Sequence, residues 1–353
     1  MAICLGVAGV STGLTYTLLA GHLASLCLGL AITGAMLAPT WPASAAALAS
    51  WFPDNQRNSV FGLIATATFS GGLGGTALAA GLQDIYGWQY VGIPPAVLAV
   101  TTAAFVAFLL FSPEEKGITV PGKEKTVTSD SVNDNDESSD NNSILTICRI
   151  PCVLEVSAAM FCVKFVRYFM AMWLPLYLLE HLGYTKLEAG LFSTMFDIGG
   201  IVGTPVQGFL LDRYFGDHQL LAISVMMAIG TILTGLLLVT AKYGVIVNCI
   251  CLLVLGAANC GPDSLLSGSV AISIGERAGR GRGGSVTSLI NGVANMGGIV
   301  EGPVIGLLAY HVGWEGVLAT VTGVKVVGTL ATLAALRAEK RSLGDSNMID
   351  SYN

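Results

Sequence analysis

Long apolar runs follow one another along almost the whole chain, each close to the length that crosses a bilayer. A helix needs about 20 apolar residues to span the hydrocarbon core, where helices satisfy every backbone polar group internally. About ten spans are predicted on this length criterion: 3–20, 24–48, 59–82, 91–112, 151–180, 187–211, 219–241, 245–274, 285–310 and 315–337. We therefore expect an all-α integral membrane protein.

The composition agrees with a chain that lies in lipid. Only 11% of the residues are charged, against about 25% in soluble domains, and 44 are glycine. Small residues let membrane helices approach closely. The eight cysteines show neither disulfide nor zinc spacing, so we expect no metal and no cofactor. The lipid bilayer is an expected partner and nucleic acid is not.

One segment, 112–143, is rich in Ser, Asp and Asn and nearly devoid of large apolar residues. This composition is typical of a disordered linker. If it is cytoplasmic, nearly all Lys and Arg outside the spans lie on its side, as the positive-inside rule requires, and the C-terminus is cytoplasmic too. The predicted domains are an incomplete N-terminal bundle (1–112), the acidic linker (113–148), a six-helix bundle (149–338) and a tail (339–353).

The parts on either side of the linker share an internal repeat. Segments 69–91 and 295–317 both carry a Gly-Gly pair followed by Gly-Trp at the same distance. Repeats joined by a cytoplasmic linker are a transporter architecture, with substrate held between them near the bilayer midplane. The repeat leaves 151–211 without a counterpart. We expect four plus six helices of a natural twelve, with two N-terminal helices absent, and poor or no transport by this chain alone.

Two cations stand inside one apolar run, in KFVRYFMAMWLPLY (164–177). A charge at the centre of a membrane helix costs about 2.5–3.5 kcal/mol on insertion scales. Lys164 and Arg167 are spaced i,i+3 and share a helix face. Arginine offers a planar fork that fits phosphate or carboxylate, and lysine adds a mobile point charge. The pair predicts an anion site; snorkelling or a permanent ion pair is the alternative.

Other residues are candidates for the same site. Trp173 and Tyr177 follow along the cation helix and are predicted to line its cavity. Asp197, in the next span, is the expected partner of the cations, with a purely structural salt bridge as the alternative. Asp263 follows Gly-Pro, which we expect to break its helix and free backbone groups near a cavity. The remaining polar residues inside spans are Asn291 and Asn295, for which interhelical hydrogen bonds are favoured over cavity lining, Glu301 as a further acid, and Lys325, which we expect to snorkel at the periphery.

A charge cluster, GFLLDRYFGDH (208–218), ends the span that carries Asp197. Asp212 and Arg213 are placed to link neighbouring helices in one conformation and release them in another. Simple positive-inside topology is the alternative. The spacing Gly208-x3-Asp212-Arg213-x2-Gly216 resembles the loop signature of the major facilitator superfamily.

RYFMAMWLPLYL together with DIGGIVGTPVQGFLLDR resembles the organophosphate:phosphate antiporter family of that superfamily, and the likeness covers essentially the whole membrane portion. The family includes bacterial glycerol-3-phosphate and hexose-phosphate transporters and eukaryotic sugar-phosphate exchangers. The resemblance implies a major facilitator fold and no enzymatic activity. It also implies that Arg167 falls on a phosphate-binding arginine, Lys164 on a lysine of the eukaryotic branch, and Asp197 on an acid found in both. Tyr168 belongs to the same motif.

Three positions depart from the family. Its other phosphate-binding arginine lies on a first helix for which this chain has no counterpart. Thr68 falls where the bacterial members have a substrate-region histidine, and Met172 replaces an acid. Half of the binding site is therefore expected here.

We predict a monomeric secondary transporter in the endoplasmic reticulum or the plasma membrane. It would exchange a sugar phosphate or glycerol 3-phosphate for inorganic phosphate by alternating access. Two alternatives stay open: a facilitator for another anion, and a non-transporting sensor, scaffold or non-functional truncated isoform. An enzyme is not expected, because no nucleophile–base or metal constellation stands out.

Overall fold

The structure is a computed structural model that describes residues 1–17, 21–111, 113, 116–117, 144–216, 218–240, 243–279 and 282–350. Within these ranges the regular structure is helical and contains no strand. The helices are α1 (Ala2–Thr17), α2 (Leu23–Leu37), α3 (Thr40–Trp51), α4 (Arg57–Tyr86), α5 (Ile93–Leu109), α6 (Ile144–Cys148), α7 (Val153–Met172), α8 (Leu174–Glu180), α9 (Lys186–Leu210), α10 (Gln219–Thr240), α11 (Val245–Leu265), α12 (Ala271–Ala278), α13 (Gly283–His311) and α14 (Gly313–Asp350).

Eight stretches of the described residues are long and apolar enough to cross a membrane, so the predicted all-helical, multi-pass architecture is confirmed. Each of the ten predicted runs contains helix, but two fall outside the eight. The first is covered by α1, which has 16 residues. The second is divided between α7 and α8, because Trp173 separates them and Pro175 lies in the first turn of α8, where a missing N–H is tolerated. The count of ten stays a prediction.

The chain folds as two units, 1–53 with 70–123 and 54–69 with 124–353. In the first unit, α1 packs against α5 and α2. Gly9 of α1 faces the backbone of Ala96 in α5, where a Cβ would collide. The Ser11 hydroxyl donates to the Gly29 carbonyl across α1 and α2 at 3.1 Å. Small residues therefore bring these helices together, as expected in lipid.

In the second unit, α7 packs against both α13 and α14, α9 against α11, and α10 against α11 and α14. Its apolar core includes Phe165 and Phe169 of α7, Leu255 of α11 and Val321 of α14, all at most 3% exposed. The α9–α11 contact depends on glycine. A Cβ on Gly203 would meet the backbone of Ala257 well inside van der Waals contact.

Three predicted boundaries differ from the structure. Residues 54–69, predicted in the N-terminal bundle, belong to the second unit, where the start of α4 hydrogen-bonds to Asp212. Helix α6 lies inside the predicted linker, because Ile147 is buried there. Helix α14 continues through the predicted tail to Asp350. Linker residues 118–143 lie outside the described residues.

The internal repeat has a structural counterpart. Gly87 follows α4 with φ = 90°, and Gly313 follows Val312 at the end of α13 with φ = 77°. Both values lie in the left-handed region that glycine adopts without a Cβ penalty. The two Gly-Trp dipeptides thus end long helices with the same backbone handedness.

We predict that Gly203→Ala lowers the thermal unfolding midpoint by at least several degrees, because the added methyl forces α9 and α11 apart. Gly190→Ala on the same helix is the matched control. No atom lies within 4 Å of its added Cβ, and Ala is the better helix former. Unfolding in detergent or nanodiscs measures both variants. Equal midpoints would contradict glycine-dependent packing.

Candidate substrate site

The two cations of α7 share one carboxylate. Lys164 Nζ lies 2.8 Å from Asp263 Oδ1 and 3.2 Å from Oδ2. Arg167 Nη1 donates to Asp263 Oδ2 at 3.1 Å. The Asp263 side chain is 7% exposed, and those of Lys164 and Arg167 are 20% and 18% exposed. The cations therefore have partial access to solvent, whereas the carboxylate that pairs them is buried.

The Arg167 guanidinium is also stacked on an aromatic ring. Its Cζ lies 4.1 Å from the centroid of Phe69, which is 2% exposed. A cation over a buried ring gains electrostatic attraction and loses orientational freedom. The structure shows one hydrogen bond from Arg167 to a described residue, through Nη1. The remaining donors of the guanidinium can serve an anion.

Asp263 lies in a distorted part of α11. The helix continues through Pro262 to Leu265, and a π-helical turn follows at Leu266–Val270. The prediction that Gly-Pro breaks this helix is therefore wrong. The Ser267 hydroxyl donates to the Asp263 carbonyl at 2.6 Å. A proline and a π-bulge on either side loosen the backbone pattern around the residue that holds the cations.

Asp197 does not take the predicted place. The sequence makes it the partner of the cations, but within the described ranges the ion pairs of Lys164 and Arg167 are with Asp263. Asp197 is half-buried on α9 and lies close enough to Arg167 to feel its charge. Asp263 faces the cations of α7 because of the rotation of α11 about its axis. Glycine contacts between α9 and α11 favour this rotation, and the sequence pattern alone does not predict it.

The aromatic candidates are not all in one place. Tyr177 is completely buried in the core, with its ring 5.8 Å from Trp314 and 5.4 Å from His181. It is a core residue and not the cavity-lining residue that the sequence predicts. Trp173 is half-buried in the same aromatic cluster, 6.5 Å from Trp314. Tyr168 is exposed and packs over Gly298 of α13.

The polar candidates on other helices also separate. Asn291 Nδ2 donates to the Ser267 carbonyl at 3.1 Å and to the Thr287 carbonyl at 2.9 Å. Asn291 thus links α13 to the π-helical turn, as the favoured interpretation has it. Asn295 is exposed, and so is Thr68, next to the buried Phe69.

Asp212 forms the second charged centre of this unit. Its carboxylate accepts four hydrogen bonds at the start of α4: from Asn58 N at 3.2 Å, Asn58 Nδ2 at 2.9 Å, Ser59 N at 2.6 Å and Ser59 Oγ at 2.5 Å. A carboxylate at a helix N-terminus satisfies free N–H groups and opposes the positive end of the dipole. Gly208 allows this approach, because a Cβ there would collide with the Asn58 carbonyl.

Arg57 strengthens the same junction. It is 3% exposed, and its guanidinium contacts Glu276 at 2.9 Å and Asp54 at 2.6 Å. Asn58 also accepts a hydrogen bond from Ser269. By contrast, the predicted switch residue Arg213 is exposed. It lies in a π-helical turn that ends at Gly216, where φ is 36°. The Asp212 carboxylate rather than the Arg213 guanidinium holds the helices together.

Two ionisable residues that the sequence places inside spans, Lys325 and Glu301, are buried. Lys325 is completely buried, so the prediction of a snorkelling residue is wrong. Glu301 is 2% exposed on α13. The position of Lys325 near the middle of a predicted span could have indicated burial. Which helices surround it depends on packing, which the sequence does not show. The described residues contain no group of three His, Cys, Asp or Glu side chains able to hold a metal.

Comparison with known proteins shows the family to which the chain belongs. The chain matches the Major Facilitator Superfamily over residues 1–300. The chain belongs to the Major Facilitator Superfamily. Members of this superfamily are membrane carriers, which sets the chain among transport proteins and not among enzymes.

Among curated relatives, the chain is 28% identical over 309 residues to the sugar phosphate exchanger 3 of Bos taurus, covering 80% of this chain and 62% of that protein. It is 27% identical over 328 residues to a glucose-6-phosphate exchanger of Danio rerio, covering 86% and 66%. The chain spans less than two thirds of the length of these relatives. The predicted membership of the major facilitator superfamily is confirmed, and the curated relatives are sugar-phosphate exchangers at modest identity.

Two solved structures share the fold. A bacterial homologue of the iron transporter ferroportin, in an outward-facing state, has a TM-score of 0.63 at 14% identity over 95% of this chain and 83% of that one. The Escherichia coli fucose:proton symporter has a TM-score of 0.60 at 15% identity over 96% and 81%. These likenesses show the major facilitator fold alone.

In this superfamily member, we predict that Asp212→Asn destabilises the junction with α4, because an amide cannot accept from all four donors of Asn58 and Ser59. The expected loss is about 1–3 kcal/mol. Hydrogen exchange of the Asn58 and Ser59 amides should accelerate. Arg213→Gln, the exposed neighbour, should leave both the exchange rates and the unfolding midpoint near those of the wild type.

Proposed function

We propose that this chain belongs to a secondary transporter that exchanges a phosphorylated metabolite for inorganic phosphate. The observation that carries the proposal is the pair Lys164 and Arg167, two partly exposed cations that both hold one buried oxyanion-bearing group, the Asp263 carboxylate. Carboxylate and phosphate present similar oxygen acceptors to these donors. The Asp263 carboxylate therefore stands where the anionic group of a substrate would bind.

The charge balance favours an incoming anion. Two cations face a single carboxylate in the cluster that Lys164, Arg167 and Asp263 form. One positive charge is left without direct compensation, and in a low-dielectric interior this attracts a further negative charge. A phosphate monoester, with more than one negative charge near neutral pH, compensates both cations. The names of the two exchangers above support a sugar phosphate as the metabolite, and the family resemblance adds glycerol 3-phosphate.

Alternating access requires contacts that exist in one state and not in the other. We assign this role to the hydrogen bonds between Asp212 and the start of α4. These contacts lie at one end of α9, and Asp263 lies within the second unit on α11, the helix that packs against α9. An anion that replaces the Asp263 carboxylate at Lys164 and Arg167 changes the net charge among α7, α9 and α11. This change in charge supplies an interaction that differs between the two states of the transporter.

We also propose that the protein is a monomer in the endoplasmic reticulum or the plasma membrane. Its linker and C-terminus then face the cytoplasm, as the distribution of Lys and Arg in the loops favours.

Binding of inorganic phosphate to the chain in nanodiscs tests the site directly. We predict that Arg167→Ala weakens phosphate binding by about 10- to 100-fold, because a charge-assisted, partly buried contact is lost. Lys164→Ala should act in the same direction. The control is Arg337→Ala, which removes an exposed arginine of α14. In the full-length protein, radiolabelled phosphate counterflow in liposomes should fall in parallel. Unchanged binding and counterflow in Arg167→Ala would exclude this site.

Asp263→Asn should separate stability from affinity. Without phosphate, the two cations lose their only carboxylate partner among the described ion pairs, and the unfolding midpoint should fall. Phosphate no longer competes with Asp263, so it should bind more tightly than to the wild type and raise the midpoint by more. A variant that loses stability and phosphate binding together would show that Asp263 builds the site instead of competing for it.

A further inference from the structure

Lys325 is the one fully buried lysine that the structure describes. Its Nζ has no hydrogen-bond partner among the described residues. An isolated ammonium in an apolar interior is strongly unfavourable, so a buried lysine in a membrane helix calls for a partner. Neither the proposed phosphate site nor the Asp212 junction uses this charge.

The position of Lys325 is set by glycines on two helices. A Cβ on Gly230 of α10 would lie 3.3 Å from Lys325 Cε and 3.5 Å from its Nζ. One turn further along α14, Gly328 packs against Cys162 of α7. The end of the Lys325 side chain therefore lies beside Gly230 of α10, and the Ala258 carbonyl of α11 lies 3.9 Å from the same Cβ position.

Ala258, the residue of α11 beside Lys325, lies five positions before Asp263 on the same helix. Pro262 has no N–H, so the Ala258 carbonyl lacks its ordinary helical donor. The π-helical turn directly after Leu265 gives the same segment a second irregularity. Ala258 and Asp263 belong to the same irregular stretch of α11, and the charge of Lys325 acts on the Asp263 carboxylate from beyond ion-pair distance. Asp263 thus pairs with Lys164 and Arg167 of α7 and lies in the field of Lys325 of α14.

We propose that Lys325 is a second docking position for the Asp263 carboxylate, which receives it when a substrate anion takes Lys164 and Arg167. This inference rests on the proposed phosphate site. In the present arrangement Asp263 forms ion pairs with Lys164 and Arg167, and Lys325 Nζ has no partner among the described residues. After substrate binding, the anion pairs the α7 cations and Asp263 pairs Lys325. Each of these two states has fewer uncompensated charges than a state in which Asp263 has left the α7 cations and has no other partner.

Lys325 is therefore a positioning residue that acts through Asp263 and does not touch the substrate. It lowers the cost of displacing Asp263, because the released carboxylate is not left alone in a buried environment. Its loss should weaken anion binding without removing any donor to the anion. This separates it from Lys164 and Arg167, whose loss removes donors.

A thermal unfolding cycle in nanodiscs without phosphate tests the exchange of partners. Lys325→Met in the wild-type background should leave the midpoint unchanged or raise it, since an unpaired buried cation is replaced by an apolar side chain of similar length. In a Lys164→Met/Arg167→Met background, Asp263 has only Lys325. There the same Lys325→Met change should lower the midpoint by about 5 °C or more. Lys340→Met, at an exposed position of α14, is the control and should change neither.

Equal shifts from Lys325→Met in both backgrounds would overturn the proposal. If the Lys164→Met/Arg167→Met protein does not fold, Lys164→Met alone serves as the background, because Lys164 contacts both oxygens of Asp263. This cycle needs no ligand. It therefore decides the Lys325 proposal even if the protein binds no phosphate, an outcome that would count against the proposed function only.

Inorganic phosphate provides the second readout. Lys325→Met should bind phosphate about tenfold more weakly than the wild type. Adding Asp263→Asn should restore binding to the level of Asp263→Asn alone, because no carboxylate then has to be received. Wild-type affinity in Lys325→Met, or failure of Asp263→Asn to restore it, would contradict the second docking position.

Discussion

The shared carboxylate of Asp263 is the interaction on which the charged interior of the second unit depends. Lys164 and Arg167 would each be costly inside a membrane helix, and both pair with one buried acid. Such a pairing gives little net stability, because desolvation offsets most of the attraction, but losing either side leaves a bare charge. The pairing of Asp263 with Lys164 and Arg167 therefore matters less for the stability that it adds than for the bare charge that its loss would leave.

Asp212 and Asp263 show how one residue type serves two purposes. Asp212 accepts four hydrogen bonds from the neutral donors of Asn58 and Ser59. Neutral backbone and hydroxyl donors at a helix start hold a carboxylate in a fixed geometry, and a substrate anion gains little by competing for them. Asp263 is held by two charged donors, Lys164 and Arg167, for which phosphate oxygens are acceptors as good as a carboxylate. Asp212 holds helices together, whereas in the proposed mechanism a substrate anion displaces Asp263.

The sequence predicts the helices and the cation pair because both are local patterns. Apolar run length gives the spans, and the i,i+3 spacing puts Lys164 and Arg167 on one face. It does not predict which acid pairs them, because Asp197 and Asp263 lie on adjacent packed helices and the choice depends on their rotation. That rotation follows from glycine contacts such as Gly203 against Ala257. Lys325 was misplaced for the same reason, since only Gly230 of α10 makes room for its burial.

The two cationic positions for Asp263 lie within one compact unit. In the proposed exchange, Asp263 changes partners within this unit by side-chain rotation and small shifts of the irregular turn after Leu265, without a movement of whole helical bundles. Side-chain rotations are faster by orders of magnitude than collective domain motions, which take microseconds to milliseconds. Substrate binding and the transfer of Asp263 to Lys325 would then be complete before any large rearrangement begins. The charge distribution of the bound state, and not the motion itself, would select which rearrangement follows.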